Sequence, residues 1–291
     1  MQPQKKVSSK LVFTGALFGG AAALALSPVA VASLFGGLVA DVQIGADNNA
    51  FGNPFVQPQD PALSGGGRDQ TLQFGDMLFG NDDPNLLIGR LGTDVLVGGL
   101  NDDVLVGGTE HFNPANRDRA FGAGGNDIFL WAPGDGSDFF DGGAGLDTVV
   151  FGLMGEVVDG QLVFKVSTDQ VAGEVFIDPA TSLPIVDVTN SPGFCNVIDD
   201  STSATSAAEL DALGLDHLVQ FFIRSVANDF AAGVQSNDNG LRVTLHLKDV
   251  EYLVCTSEAG GSIEAFDLTT APPTPIRLAD VPLGALSLIV Q

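Results

Sequence analysis

Between Thr71 and Gly152, short apolar runs alternate with glycine-rich polar runs on a nine-residue beat. The clearest units are Gly89-Arg-Leu-Gly-Thr-Asp-Val-Leu-Val97, Gly98-Gly-Leu-Asn-Asp-Asp-Val-Leu-Val106 and Gly142-Gly-Ala-Gly-Leu-Asp-Thr-Val-Val150. The eighth position is apolar throughout: Leu78, Leu87, Leu96, Leu105, Ala120, Phe129, Phe140 and Val149. The sixth holds Asp76, Asn85, Asp94, Asp103, Asp118, Asp127, Asp138 and Asp147. Five of the seven steps are nine residues, one is fifteen and one is eleven. A short strand after each Gly-rich turn accounts for this pattern. One such unit cannot bury its apolar face alone, so the units must stack into a solenoid.

After Phe151 the beat stops. Glu156 to Val166 reads as a hairpin around Asp159-Gly160, and 173–178 and 183–188 as further strands. Ser206 and Glu209 suggest a capping box for one main helix running to about Ala232, with Leu218, Phe221, Phe222 and Val226 at helical spacing. Leu241 to Cys255 alternates like strand, with a turn near Lys248-Asp249. The expected fold is mainly β: a parallel β-roll over 71–152, then an α+β C-terminal domain over 153–291 that covers the open end of the roll. An uncovered end would expose apolar surface and strand edges. Residues 33–70, rich in Gly, Asn, Pro and Gln, read as a linker or lead-in.

The acid at position six brings chemistry into the pattern. Calcium is a hard cation that takes carboxylate and carbonyl oxygens. A Gly-rich turn can direct its carbonyls inward because glycine accepts positive φ. Together the residues resemble the haemolysin-type (RTX) calcium-binding nonapeptide repeat. The resemblance covers 71–152, and Asp249-Val-Glu-Tyr-Leu resembles segments that follow such rolls. It implies that repeat i stacks on repeat i+2. One edge would then hold Asp76, Asp94, Asp118 and Asp138, and the other Asn85, Asp103, Asp127 and Asp147. It also implies several calcium ions, up to about six if each gap takes one. The departures from the pattern are Thr71, Phe74, Asp83, Asn85, Pro133 and the insertion before Asp118. They rank the Asp103–Asp127 and Asp127–Asp147 gaps first and the Asp76–Asp94 gap last. A metal-free solenoid with Gly and Asp turns is the alternative.

Net charge is −24, which disfavours nucleic acid and anionic membrane surfaces as partners and favours divalent cations. Lys5, Lys6 and Lys10 precede the apolar stretch Leu11 to Leu26, and Ala30-Val-Ala32 suits cleavage. Residues 1–32 are therefore expected to be a secretory signal, with an uncleaved membrane anchor as the rival. The family's usual C-terminal export signal is not the pattern here. In a secreted or cell-surface chain, Cys195 and Cys255 would form one disulfide, the alternative being two buried thiols.

The sequence carries no zinc-protease, lipase or Walker motif, while its many paired acids leave a two-carboxylate glycosidase open. His111, His217 and His246 do not form His-Glu-x-x-His, and no Gly-x-Ser-x-Gly elbow occurs. His217 reads as structural. The functional expectation is an exported calcium-binding protein, structural or adhesive, which self-assembles or meets a cell-surface partner. Two alternatives are a secreted hydrolase with its site in 153–291 and a calcium-gated binding module that uses the loop around His111.

Overall fold

The computed structural model describes residues 41–44, 77–89, 93–108, 117–133, 135–164, 174–175, 178, 184–224, 242–283 and 287–289. The signal-peptide expectation over 1–32, Asp76 and His111 lie outside them. Among the described residues, no helix is long and apolar enough to cross a membrane.

The chain is mainly β and contains a parallel β-solenoid of about three turns. Its strands are β1 (Asp41–Ile44), β2 (Met77–Phe79), β3 (Asn85–Ile88), β4 (Val95–Gly99), β5 (Val104–Val106), β6 (Arg119–Gly124), β7 (Ile128–Trp131), β8 (Phe139–Ala144) and β9 (Thr148–Phe151). Even strands form one sheet in the order β8-β6-β4-β2, and odd strands form the facing sheet in the order β1-β3-β5-β7-β9. Repeat i therefore stacks on repeat i+2. Leu78 pairs with Leu96, Leu96 with Ala120, and Ala120 with Phe140. On the other side Leu87 pairs with Leu105, Leu105 with Phe129, and Phe129 with Val149. All eight of these side chains are at most 2% exposed, so the eighth position is the core between the sheets. β1 falls within the stretch read as linker, yet it pairs in parallel with β3.

The two sheets differ on their outer faces. β4 and β8 alternate between buried and part-exposed, whereas β3, β5, β7 and β9 are buried at every position. Continuous apolar strands are what a sheet covered on both sides requires. The cover comes from the C-terminal part, where Val186, Val188 and Val281 pack on Ile88, Val106, Leu130 and Val150.

Beyond the roll lie β10 (Leu153–Val158), β11 (Gln161–Phe164), β12 (Glu174–Val175), β13 (Ile185–Asp187), β14 (Gly193–Ile198), α1 (Ala204–Leu213) and β15 (His217–Ile223). They are followed by β16 (Arg242–Lys248), β17 (Tyr252–Thr256), β18 (Ile263–Asp267), β19 (Thr274–Ile276) and β20 (Ser287–Ile289). The β10–β11 hairpin turns at Asp159 and Gly160, both at positive φ, as a two-residue I′ turn requires. The 241–255 stretch is not a hairpin. β16 joins β8 in one sheet and β17 joins β9 in the other, both in parallel. The two strands thus add one more level to the roll, and antiparallel β14, β15, β18 and β19 flank it.

The helix is shorter than expected. Ser203 caps it, accepting the Ser206 N–H at 3.0 Å, three residues ahead of the expected cap. Gly214 ends it at φ 67°, the left-handed geometry of a C-terminal cap. Leu218, Phe221 and Phe222 are then strand, because His217, Val219 and Phe221 face inward on a period of two. Val226 is outside the described residues. The Phe221 ring sits 4.7 Å from Trp131 and 5.5 Å from Phe151, closing the end of the core. Cys195 on β14 is bonded to Cys255 on β17, with α-carbons 6.2 Å apart, and so staples the two sheets to each other.

Candidate metal centre

Each turn delivers its sixth residue to an edge of the roll, where it meets its counterpart one coil on. The Asn85 N–H donates to Asp103 Oδ1 at 2.7 Å, the Asp103 N–H to Asp127 Oδ1 at 2.8 Å, and the Asp127 N–H to Asp147 Oδ1 at 2.8 Å. On the opposite edge the Asp94 N–H donates to Asp118 Oδ1 at 2.6 Å and the Asp118 N–H to Asp138 Oδ1 at 3.0 Å. The structure brings the seven described site residues into two columns, in the order that i to i+2 stacking demands. Asp76 would head the second column but lies outside the described residues.

These six aspartates are fully buried. One oxygen of Asp103, Asp118, Asp127, Asp138 and Asp147 accepts a backbone N–H. The other oxygen, Oδ2, of Asp103, Asp127, Asp138 and Asp147 is buried with no hydrogen-bond partner. A buried polar atom without a partner is costly, and a buried charge without one more so.

Burial accordingly pushes these carboxyls up. Asp103 is raised to about 6, with Asn85 hydrogen bonds pulling it partly back. Asp127 is raised to about 8, by burial first and then by the charges of Asp147 and Asp103 on either side. Asp138 and Asp147 each reach about 7, again chiefly by burial. Asp127 is the extreme because it lies mid-column between two carboxylates. Asp103 is the mildest because its other neighbour is an amide whose Nδ2 donates to it at 2.9 Å.

Glycine at position one has a reason other than positive φ. A Cβ on Gly98 would lie under 3.0 Å from both Asp103 Oδ2 and the Gly122 carbonyl oxygen. Gly122 stands in the same relation to Asp127 and Gly142. Carboxylate and carbonyl oxygens from successive coils therefore converge on the bare α-carbon. Positive φ belongs instead to turn residues such as Gly125, Gly143, Gly145 and Ala123. Gly122→Ala is expected to cost roughly 1–3 kcal/mol as overpacking. Gly124→Ala should be tolerated, since its nearest neighbour would be 3.8 Å away. Denaturant melts of the two variants check this; equal stability would be inconsistent with the crowding.

Three acidic residues that the nonapeptide period does not mark join the site. The Asp147 N–H donates to Glu251 Oε2 at 2.7 Å, so Glu251 serves as the next carboxylate of the first column. The Asp249 carbonyl meets Gly142 as a glycine carbonyl does elsewhere. The sequence signal is slight: Glu251 precedes the core residue Leu253 by two, as Asp147 precedes Val149. Asp102, on the exposed side of the turn, accepts the Asn126 N–H at 2.7 Å and its charge raises Asp103, Asp127 and Asp147.

The donors in these columns are oxygens, a set that suits a hard cation and not a soft one. Among the described residues, no three His, Cys, Asp or Glu side chains converge into a metal-holding group. A cation held here would thus need backbone carbonyls beside the carboxylates, and the turn glycines bring carbonyls next to the Oδ2 atoms. His217, 8% exposed on β15, lines a separate cavity of about 340 Å³ together with Asp199, Asp200, Asp211 and Asp216. Comparison with known protein families, curated proteins and solved structures finds no match to this chain.

Proposed function

We propose that the chain is an exported protein of the haemolysin-type repeat class whose β-roll folds on calcium. The observation that carries this reading is the two columns of buried carboxylates, five with one oxygen on a backbone N–H and four of these with the other oxygen unpartnered. Asp103, Asp127 and Asp147, with the carbonyls of the turn glycines, would hold the ions on one edge. Asp94, Asp118 and Asp138 would serve the other. Calcium supplies positive charge that lets aligned carboxylates stay ionised without repelling one another.

The expected role is structural or adhesive, at the cell surface or outside the cell. Low internal calcium would leave the roll unfolded for export, and external calcium would order it. Circular dichroism of the chain during a calcium titration from a chelated start tests the reading. The expected result is a cooperative gain of β signal with calcium and none with magnesium, which dehydrates reluctantly and demands octahedral geometry. A chain already folded in chelator and indifferent to calcium would overturn it.

A further inference from the structure

The two carboxylate columns end differently on the C-terminal side of the roll. In the second column β16 supplies the next coil. His246 pairs with Phe139 and Leu247 with Phe140, so Leu245 takes the place that follows Asp138. Leu245 is apolar and fully buried, and that column of acids stops. In the first column β17 supplies the next coil. Tyr252 pairs with Thr148 and Leu253 with Val149, so Glu251 takes the place that follows Asp147. The backbone continues the pattern of the roll. The Ile128 N–H donates to the Asp103 carbonyl at 2.8 Å and the Thr148 N–H to the Asp127 carbonyl at 2.8 Å. The Tyr252 N–H donates to the Asp147 carbonyl at 2.9 Å.

The gap between Asp147 and Glu251 has the parts of a gap between repeats. Asp147 Oδ1 accepts the Asp127 N–H, while its Oδ2 is buried with no hydrogen-bond partner. A Cβ on Gly142 would lie under 3.0 Å from both that Oδ2 and the Asp249 carbonyl oxygen. One gap earlier, Gly122 faces Asp127 Oδ2 and the Gly142 carbonyl in the same way. Asp249 has φ 49°, in the left-handed region that aspartate enters more readily than most residues. Its side chain is engaged elsewhere: Lys248 Nζ lies 2.9 Å from Asp249 and 2.8 Å from Asp141. That lysine therefore neutralises the turn's side chains and not Asp147 or Glu251.

We infer that the gap between Asp147 and Glu251 is a further calcium site, built half from the roll and half from the C-terminal part. Its oxygen donors are Asp147 Oδ2, the Asp249 carbonyl and the Glu251 carboxylate. A hard cation suits this set, and two carboxylates in line stay ionised more readily with one between them. The inference rests on the calcium reading above but makes a separate claim. The ion fastens β17 to a turn 104 residues earlier in the chain. Its site is incomplete until β17 docks on β9, so calcium binding in this gap and docking of the C-terminal strands stabilise each other.

Equilibrium dialysis of the full chain and of E251Q over a range of calcium concentrations, with circular dichroism of both, tests this. Glutamine keeps an oxygen for the Asp147 N–H and removes the charge. The expected result is a folded variant in which one calcium site is weakened at least about tenfold and the others are unchanged. E251D keeps the charge but is one methylene shorter, so it should weaken the same site less. A folded E251Q that binds as many ions as tightly as the parent would overturn the site while leaving the calcium-folded roll in place. If E251Q does not fold, E251D decides: every site as tight as in the parent would overturn the inference. A parent that binds no calcium would overturn both this site and the reading it rests on.

Discussion

Asp127→Asn is expected to raise the calcium midpoint of folding at least about tenfold, equivalent to about 1.4 kcal/mol, while making the calcium-free chain more stable. The two effects have opposite sign because Asp127 has opposite roles in the two conditions. With calcium, its carboxylate would serve the gap on either side, so one substitution weakens two sites. Without calcium, it is a fully buried acid raised to about 8 by burial and by Asp147 and Asp103. Asparagine keeps an oxygen to accept the Asp103 N–H and removes the charge. The chain already uses that solution at Asn85, at the head of the same column, where the amide donates to Asp103. The same change at Asp76, whose gap ranks last, should shift the midpoint less. Calcium titrations and urea melts in chelator measure both arms. A loss of stability in both conditions would mean that Asp127 acts only through packing, and equal midpoint shifts at the two positions would refute the stacking assignment.

Metal-free stability should fall as pH rises from about 4 to about 8 and level off above that, the reverse of ordinary acid denaturation. Asp103 near 6, Asp138 and Asp147 near 7 and Asp127 near 8 are all raised from the ordinary 3.8 of an aspartate. In this window the folded chain holds more protons than the unfolded one, so the stability of unfolding declines with pH. The contribution is complete below the unfolded value and is lost as each folded value is passed. Calcium stabilisation should grow over the same interval, because the ion must displace protons below it and meets free carboxylates above it. Thermal melts in chelator and in calcium at pH 5, 6, 7 and 8 would measure this. A calcium-free chain more stable at pH 8 than at pH 5 would show that these carboxylates are not desolvated in the folded state.

The sequence by itself determined that short units stack, since a nine-residue period with an apolar eighth position cannot bury that position within one unit. The resemblance to the haemolysin-type repeat implied that alternate units stack, and Leu78 to Phe140 and Leu87 to Val149 follow that order. The columns of acids follow from the same arithmetic, since any residue in fixed register with the core must line up when the core does. The hairpin at Asp159-Gly160 was also legible, because its turn depends on local φ preferences alone.

The tertiary structure decided what local pattern cannot express. Leu218, Phe221 and Phe222 satisfy both a helical spacing and a strand alternation, and pairing with β14 and β16 selected the strand. Lys248 to Val250 resemble a hairpin turn, yet the strands on either side enter different sheets because each finds an open edge, at β8 and at β9. Glu251 becomes the last carboxylate of a column through a partner 104 residues earlier, a distance no periodicity covers. Register within a repeat is local and is written in the chain. The ends of the stack and the surfaces against it are set by long-range contacts, and these only the folded molecule supplies.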